Sequence, residues 1–306
     1  MNPIITIGAA NIDVTATLQG PFEALSNNPS KVSFNYGGSA RNVAHNLALL
    51  GENVQMVTLF GGDIFGGFLM DNCRKHAIDL HLSERRSGLS TSTYVAMLNP
   101  RGDRITAAVD DEALMQITPL YLAERIDEIN AAQAVVMSAN LPIASMVYLL
   151  EQCETTLYIN AVSAQRVPLL IEALRRAKEA HVHSLKVSRK DALLSTGKAT
   201  VEEAAEVLLE LGVEYVYITM AEKGVYCRSR ELEETFAPYE VDLVNTMGAG
   251  DAFIAGIVLA VKNGIPFPKT AQFGLRVAAA TIGTEGVVNP NLLNVLREPA
   301  AELKKQ

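Results

Sequence analysis

Asn245-Thr246-Met247-Gly248-Ala249-Gly250-Asp251-Ala252-Phe253 lies between a strand-like stretch and a strongly apolar run that reaches Lys262. Its small residues let the backbone turn tightly, so that successive N–H groups face one way where a helix begins. A helix N-terminus of this kind attracts anions. Asp251 stands at the edge of that site. A carboxylate repels a simple anion there, but it makes sense if it takes a proton from a hydroxyl while the backbone stabilises charge on a phosphoryl group. The segment therefore points to phosphoryl transfer to an alcohol. Taken alone, it reads better as a tight turn before a buried helix, with Asp251 as a cap. A dinucleotide site is the weaker alternative, because the GxG lacks a third small residue and lies far from the first βαβ unit. No GxxxxGK[ST] occurs, which excludes a P-loop.

Outward from this segment, strands and helices alternate. Short apolar runs predict strands at 4–7, 54–60, 134–138, 156–160, 184–187 and 215–219. Helical spacing of apolar residues predicts helices at 39–50, 65–76, 143–152, 168–177, 201–211, 251–262 and 269–282, with Gly51, Gly212 and Gly264 as stops. The runs 91–98 and 104–109 flank Asn99-Pro100-Arg101-Gly102-Asp103 and read as a hairpin. A further short antiparallel run is expected over 225–228, 235–237 and 241–244. This pattern implies an α/β fold: a doubly wound, mainly parallel sheet with helices on both faces. Lid strands from about 12–35 and 91–110 would form a small β-sheet over it, all within one domain spanning 1–306. Ligands in such folds sit beyond the C-terminal ends of strands. Asn11, Asp13, Gly38, Asn140, Asn160, Ser188 and Thr219 all fall just after predicted strands or at a helix start.

The 306 residues are 49% hydrophobic and carry a net charge of -8. No basic run appears, which argues against nucleic acid and against an anionic membrane surface as partners. Cys73, Cys153 and Cys227 are scattered and form no CxxC, as expected of reduced thiols. The N-terminus lacks a signal-peptide pattern and no apolar run is long enough to span a bilayer, so a cytoplasmic location is expected. Met56, Met70, Met137 and Met146 read as core filler, His181 and His183 as surface residues, and Glu84-Arg85-Arg86 as an exposed loop.

Two further groups give the C-terminal segment its context. Asn11 and Asp13 share one face if extended, and an Asp with an Asn can bind vicinal hydroxyls; the alternative is an Asx turn after the first strand. Gly37-Gly38 lets a ligand approach the backbone, and Asn42 follows in the first turn of the next helix. Together, Gly37-Gly38-Ser39-Ala40-Arg41-Asn42 and the 245–251 segment resemble the two signatures of the ribokinase-like (PfkB) family of carbohydrate and nucleoside kinases. The resemblance covers essentially the whole chain. Within the family, stretches such as Arg41-Asn42-Val43-Ala44-His45-Asn46 and Asn289-Pro290-Asn291-Leu292 look like those of the bacterial pseudouridine kinases.

The resemblance implies ATP-dependent phosphorylation of the 5′-hydroxyl of pseudouridine, or of another nucleoside or a sugar. Asp251 would be the general base, and Gly248, Ala249 and Gly250 the anion hole. Asn11, Asp13, Gly37, Gly38 and Asn42 would hold the ribose, with Thr93 and Asn140 approaching the substrate. Ser188, Thr219, Gly224 and Asn289 would lie along ATP, and Asp191 would reach Mg²⁺ through water. A homodimer through the lid is also implied. The chain departs from the family pattern at Ser188, Asp191, Ala221, Asn160 and Asn245. Asn245 replaces an Asp that helps bind a monovalent cation in many members, which puts K⁺ activation in question. These departures also motivate a different class of function, a ligand-binding or regulatory relative with a lapsed nucleotide site.

Overall fold

The apolar runs form the interior of a large sheet. In the computed structural model, which describes residues 2–163 and 165–297, the strands are β1 (Ile4–Ile7), β2 (Asn11–Leu18), β3 (Ser30–Gly37), β4 (Val54–Val57), β5 (Leu59–Gly61), β6 (Ile78–Asp79), β7 (Glu84–Arg86), β8 (Thr93–Leu98), β9 (Arg104–Asp110), β10 (Ala134–Ser138), β11 (Leu157–Asn160), β12 (Val182–Ser188), β13 (Val213–Thr219), β14 (Val225–Arg228) and β15 (Glu233–Phe236). The main sheet has the order β15-β14-β13-β12-β11-β10-β1-β4-β6. β14 pairs antiparallel with both β13 and β15, and the other neighbours are parallel.

Every residue of β1, β10 and β11 is buried, as a parallel sheet covered on both faces requires. Alternate residues serve opposite layers. Ile5, Ile7, Val135 and Ile159 pack with the Ile143–Gln152, Val167–Arg176 and Val201–Glu210 helices. Ile4, Val136 and Tyr158 pack with the Ser39–Leu49, Ala249–Lys262 and Thr270–Ile282 helices.

The chain leaves β1 towards β4 and β6, then returns to place β10 on the other side of β1. Such a reversal of strand order opens a crevice at the C-terminal strand ends. The lid stands over that end as a second sheet, β3-β2-β8-β9. β2 pairs antiparallel with β3 and parallel with β8, and β8 pairs antiparallel with β9. The register sets Asp13 opposite Asn35 and Tyr94, and Val14 opposite Phe34 and Val95. Asp13 and Val14 therefore belong to opposite faces of the lid.

Several expectations are corrected. Asn11 and Asp13 form no Asx turn; both lie inside β2. The run 54–60 is two strands, β4 and β5, which belong to different sheets. Glu84-Arg85-Arg86 is not a loop but β7, paired with β5. Arg85 donates to the carbonyls of Gly61, Gly62 and Asp63, and Arg86 donates to Glu84, so the charges are spent in fixing this turn. No strand forms at 241–244. His183 is half-buried between the rings of Tyr158 and Tyr215, while His181 is exposed.

Candidate active site

Two helix N-termini converge above the strand reversal. The Ser39–Leu49 helix starts after Gly38, whose φ of 93° and contact with β1's exit segment require glycine: a Cβ there would lie 2.4 Å from the Ala9 carbonyl oxygen. The Ala249–Lys262 helix starts after Gly248 (φ 78°), where a Cβ would lie 1.9 Å from the Val287 carbonyl oxygen. Neither helix has a side-chain cap. The N–H groups of Gly250 and Asp251 belong to the first turn, where no carbonyl one turn earlier can accept them, so they are free to meet an anion.

Asp251 is not a helix cap; its carboxylate joins the two helices. Oδ1 accepts from Ser39 Oγ at 3.0 Å and from Asn160 Nδ2 at 2.7 Å, and Oδ2 accepts from Asn42 Nδ2 at 2.9 Å. Asn160, at the end of β11, also donates to Ser39 Oγ, which meets Ser138 Oγ at 3.1 Å. Lys186 enters from β12 and is 8% exposed. It passes over the helix start so closely that a Cβ on Gly250 would lie 2.3 Å from Nζ. Burial raises the Asp251 carboxyl above its ordinary range, although Lys186 and the three donors favour its charge. Burial likewise lowers the Lys186 ammonium against the pull of Asp251 and Asp191.

Asp13 faces this centre from the lid. Its Oδ1 accepts from Asn11 Nδ2, and Gly37 lies beneath it: a Cβ on Gly37 would fall 2.2 Å from Oδ2. Burial pushes Asp13 up to about 6, with Arg41 and Asn11 pulling it down and Asp251 adding to the rise. Arg41 is buried, bonds the Tyr36 carbonyl and Asn72, and reaches Asn42 Oδ1 at 2.5 Å. It thereby holds the side chain that donates to Asp251.

Two cavities meet here. One, of about 660 Å³, is lined by Asn11, Asp13, Gly38, Thr93, Asn140 and Asp251, with Gly248, Gly250 and Lys186 on its floor. The other, of about 470 Å³, runs between Ser188, Thr219 and Gly224 on one side and Phe253, Leu275 and Ala278 on the other. Gly250 lines both, and Ala249 lines the second. The first suits a polyol; the second offers an apolar slot with a polar rim, as a purine nucleotide requires.

The structure thus brings together most of the predicted residues, and some stand apart. Gly37 and Asn42 line neither cavity but support residues that do. Asn289 is buried away from both, donating to the Ala280 carbonyl and accepting from Asn291 N. Asp191 lies beneath the second cavity and accepts from Ser188 Oγ at 2.7 Å. Sequence reading missed Ser39, Ser138 and Lys186; it placed Asn160 at the ligand edge of the sheet and among the departures from pattern, without giving it a role. A lone lysine within the apolar run Leu185-Lys186-Val187 was the available signal, since buried lysines need a reason. It also missed Arg166, whose guanidinium pairs with Asp111 across the mouth of the first cavity. Among the described residues, no group of three or more His, Cys, Asp or Glu could hold a metal ion. No helix among them is long and apolar enough to cross a membrane.

Comparison with known proteins agrees with this geometry. Residues 1–293 match the pfkB family carbohydrate kinase profile. The chain is 27% identical to the pseudouridine kinase of Escherichia coli, over 94% of this chain and 93% of that one. It is 28% identical to an uncharacterised sugar kinase of the same organism, over 94% of this chain and 80% of the other. The ribokinase of Arabidopsis thaliana, solved with ribose and ATP, superposes with a TM-score of 0.83 at 17% identity, covering 97% of this chain and 99% of that one.

Proposed function

The chain belongs to the pfkB family of carbohydrate kinases, and from that premise we propose that it transfers the γ-phosphoryl group of ATP to the 5′-hydroxyl of pseudouridine. The observation that carries this reading is Asp251, a carboxylate held by three donors beside free helix N–H groups, next to Gly250, which lines both cavities. The ribose would lie in the first cavity with its hydroxyls on Asn11 and Asp13. The nucleotide would lie in the second, its base against Phe253, Leu275 and Ala278 and its phosphates towards Gly250.

In the reaction, the 5′-oxygen attacks the γ-phosphorus as the bond to the β–γ bridging oxygen breaks. Asp251 takes the hydroxyl proton, and ADP leaves with the bond pair. The Gly250 and Asp251 N–H groups and the Lys186 ammonium meet the charge on the transferring oxygens. Asn160, Ser39 and Asn42 aim the carboxylate, so its lone pair faces the substrate rather than a neighbouring backbone. The residues present fit a nucleotide-borne Mg²⁺: Ser188 and Asp191 lie beside the phosphate path, and the ion would neutralise phosphate charge when bound. Asn160, one of the departures from the family pattern, donates directly to Asp251, which supports an active enzyme over a lapsed one.

The substrate assignment rests on resemblance to the pseudouridine kinases and is tested by steady-state rates with ATP and Mg²⁺ on pseudouridine, uridine, cytidine, ribose and fructose. Pseudouridine should give the highest kcat/KM; a higher value for a free sugar would move the protein to the sugar kinases.

The lid is proposed as the contact of a cytoplasmic homodimer. Val14, Val32, Phe34 and Val95 share the face turned away from Asp13, and Phe34 is 63% exposed. Apolar faces on small sheets call for cover. Phe34→Glu should convert a dimer to a monomer in sedimentation velocity; a monomeric native protein contradicts the proposal.

A further inference from the structure

Many members of the family place an Asp at position 245, where it helps hold a monovalent cation; this chain has Asn245. The donor set does not fit a cation. Asn245 Oδ1 accepts the Met247 N–H at 2.9 Å, and Nδ2 donates to the Glu285 carbonyl at 2.8 Å. The amide has one consistent orientation. Turned over, it would set Oδ1 against a carbonyl and Nδ2 against an N–H. A cation at this position needs oxygen ligands; it would instead meet an N–H donor, and the Glu285 oxygen is already engaged.

The bond is part of a seam. The N–H groups of Val244 and Asn245 both donate to the Ile282 carbonyl at 3.1 Å. Three residues on, Gly248 packs against the Val287 carbonyl, and the next residues carry the helix N–H groups. Fixing Asn245 to Glu285 therefore fixes the start of the Ala249–Lys262 helix against the segment that follows the Thr270–Ile282 helix.

We infer that the Asn245 amide takes the place of a bound cation here: it bridges these two segments and holds the anion-binding N–H groups in place, so that the protein works without a monovalent cation. The inference rests on the reading of 248–251 as the phosphoryl site. An Asp at 245 would oppose a carboxylate oxygen to the Glu285 carbonyl, two acceptors that only a cation between them could reconcile. Asn245→Asp should therefore create a cation requirement.

The test uses the full chain in KCl, NaCl and choline chloride at equal ionic strength, measuring thermal midpoint and initial rate with ATP, Mg²⁺ and the best acceptor. The native protein should keep its midpoint within about 1 °C across the three salts and its rate within about twofold. Asn245→Asp should melt lower in choline by several degrees and recover in KCl, with a rate rising about tenfold or more. Asn245→Ala should melt lower in all three salts, with no salt-specific recovery. A native protein whose midpoint or rate rises well beyond these limits in KCl overturns the inference, as does an Asn245→Asp variant indifferent to K⁺. If no acceptor is phosphorylated, the kinase reading fails, while the melting comparison still decides the role of Asn245.

Discussion

At the scale of single residues, the proposed reaction divides its work between Asp251 and Asp13. Asp251 is fixed by three side chains from two elements, the Ser39–Leu49 helix and β11, and its amide isostere has the same shape, so the variant should keep the fold and the substrate pocket. Asp251→Asn should lower kcat by about 10²–10⁴ with KM little changed, the scale of a general base; unchanged turnover would remove Asp251 from proton transfer. Asp13 is proposed to act on binding. Its carboxyl is raised to about 6 in the folded protein, and it must be ionised to accept hydrogen bonds from two ribose hydroxyls. Hence kcat/KM should fall as the pH drops through about 6, approaching tenfold per unit, through KM rather than kcat. In Asp13→Asn the KM should be uniformly poorer and lose that inflection. Both residues stood out in the sequence because each sits in a short spaced motif. Lys186 and Ser138 did not, since neither belongs to a spaced motif and only the folded sheet brings Lys186 over Gly250 and Ser138 against Ser39.

At the scale of elements, the central strands of the main sheet were legible to within a residue or two, because short apolar runs bounded by turn residues suit covered parallel strands, whereas the two-residue edge strand β6 was too short to show. The lid was legible as a small sheet built from 12–35 and 91–110 but not in its strand order, since β2 joins β8 across some eighty residues of chain and no local pattern records which strand meets which. The 54–60 run failed because Thr58 passes the chain from one sheet to another without a breaker residue. The turn between β13 and β14 shows a different mismatch. Ala221 opens its short 3₁₀ segment at a φ of 51°, in the left-handed region that favours glycine. The left-handed conformation costs an alanine roughly 1–2 kcal/mol, while glycine adds roughly 0.4–1 kcal/mol of unfolded-state entropy. Strain wins, so Ala221→Gly should stabilise the protein by about 0.5–1 kcal/mol. Equilibrium urea unfolding would show it, and a lower midpoint would mean that the turn carries no strain.

For the whole molecule, the arrangement that serves the site leaves an acid-sensitive interior. Ser39–Leu49 must present Ser39 and Asn42 to Asp251, and so buries its polar residues Arg41, His45 and Asn46 behind them. His45 packs against His76 with ring centroids 3.8 Å apart, and neither of its nitrogens has a hydrogen-bond partner. Burial, with Arg41 and His76 adding to it, lowers its pKa from 6.5 to about 3. Between those values the unfolded chain binds a proton that the folded one refuses, so the stability His45 allows at neutral pH is lost as the pH falls below about 6.5. Asp13 works in the opposite direction: raised from 3.8 to about 6, it keeps a proton in the folded state that the unfolded chain releases, and favours folding as the pH falls from 6 towards 4. The two slopes nearly cancel over that window, so the native melting curve alone conceals the histidine. Comparison with His45→Leu isolates it. The stability of the variant relative to the native protein should climb by about 1.4 kcal/mol for each pH unit below 6.5. Paired thermal melts at pH 7.5, 6, 5 and 4.5 measure that difference directly. A constant offset between the two proteins would mean that His45 takes its proton in the folded state and that the interior behind the site is open to water.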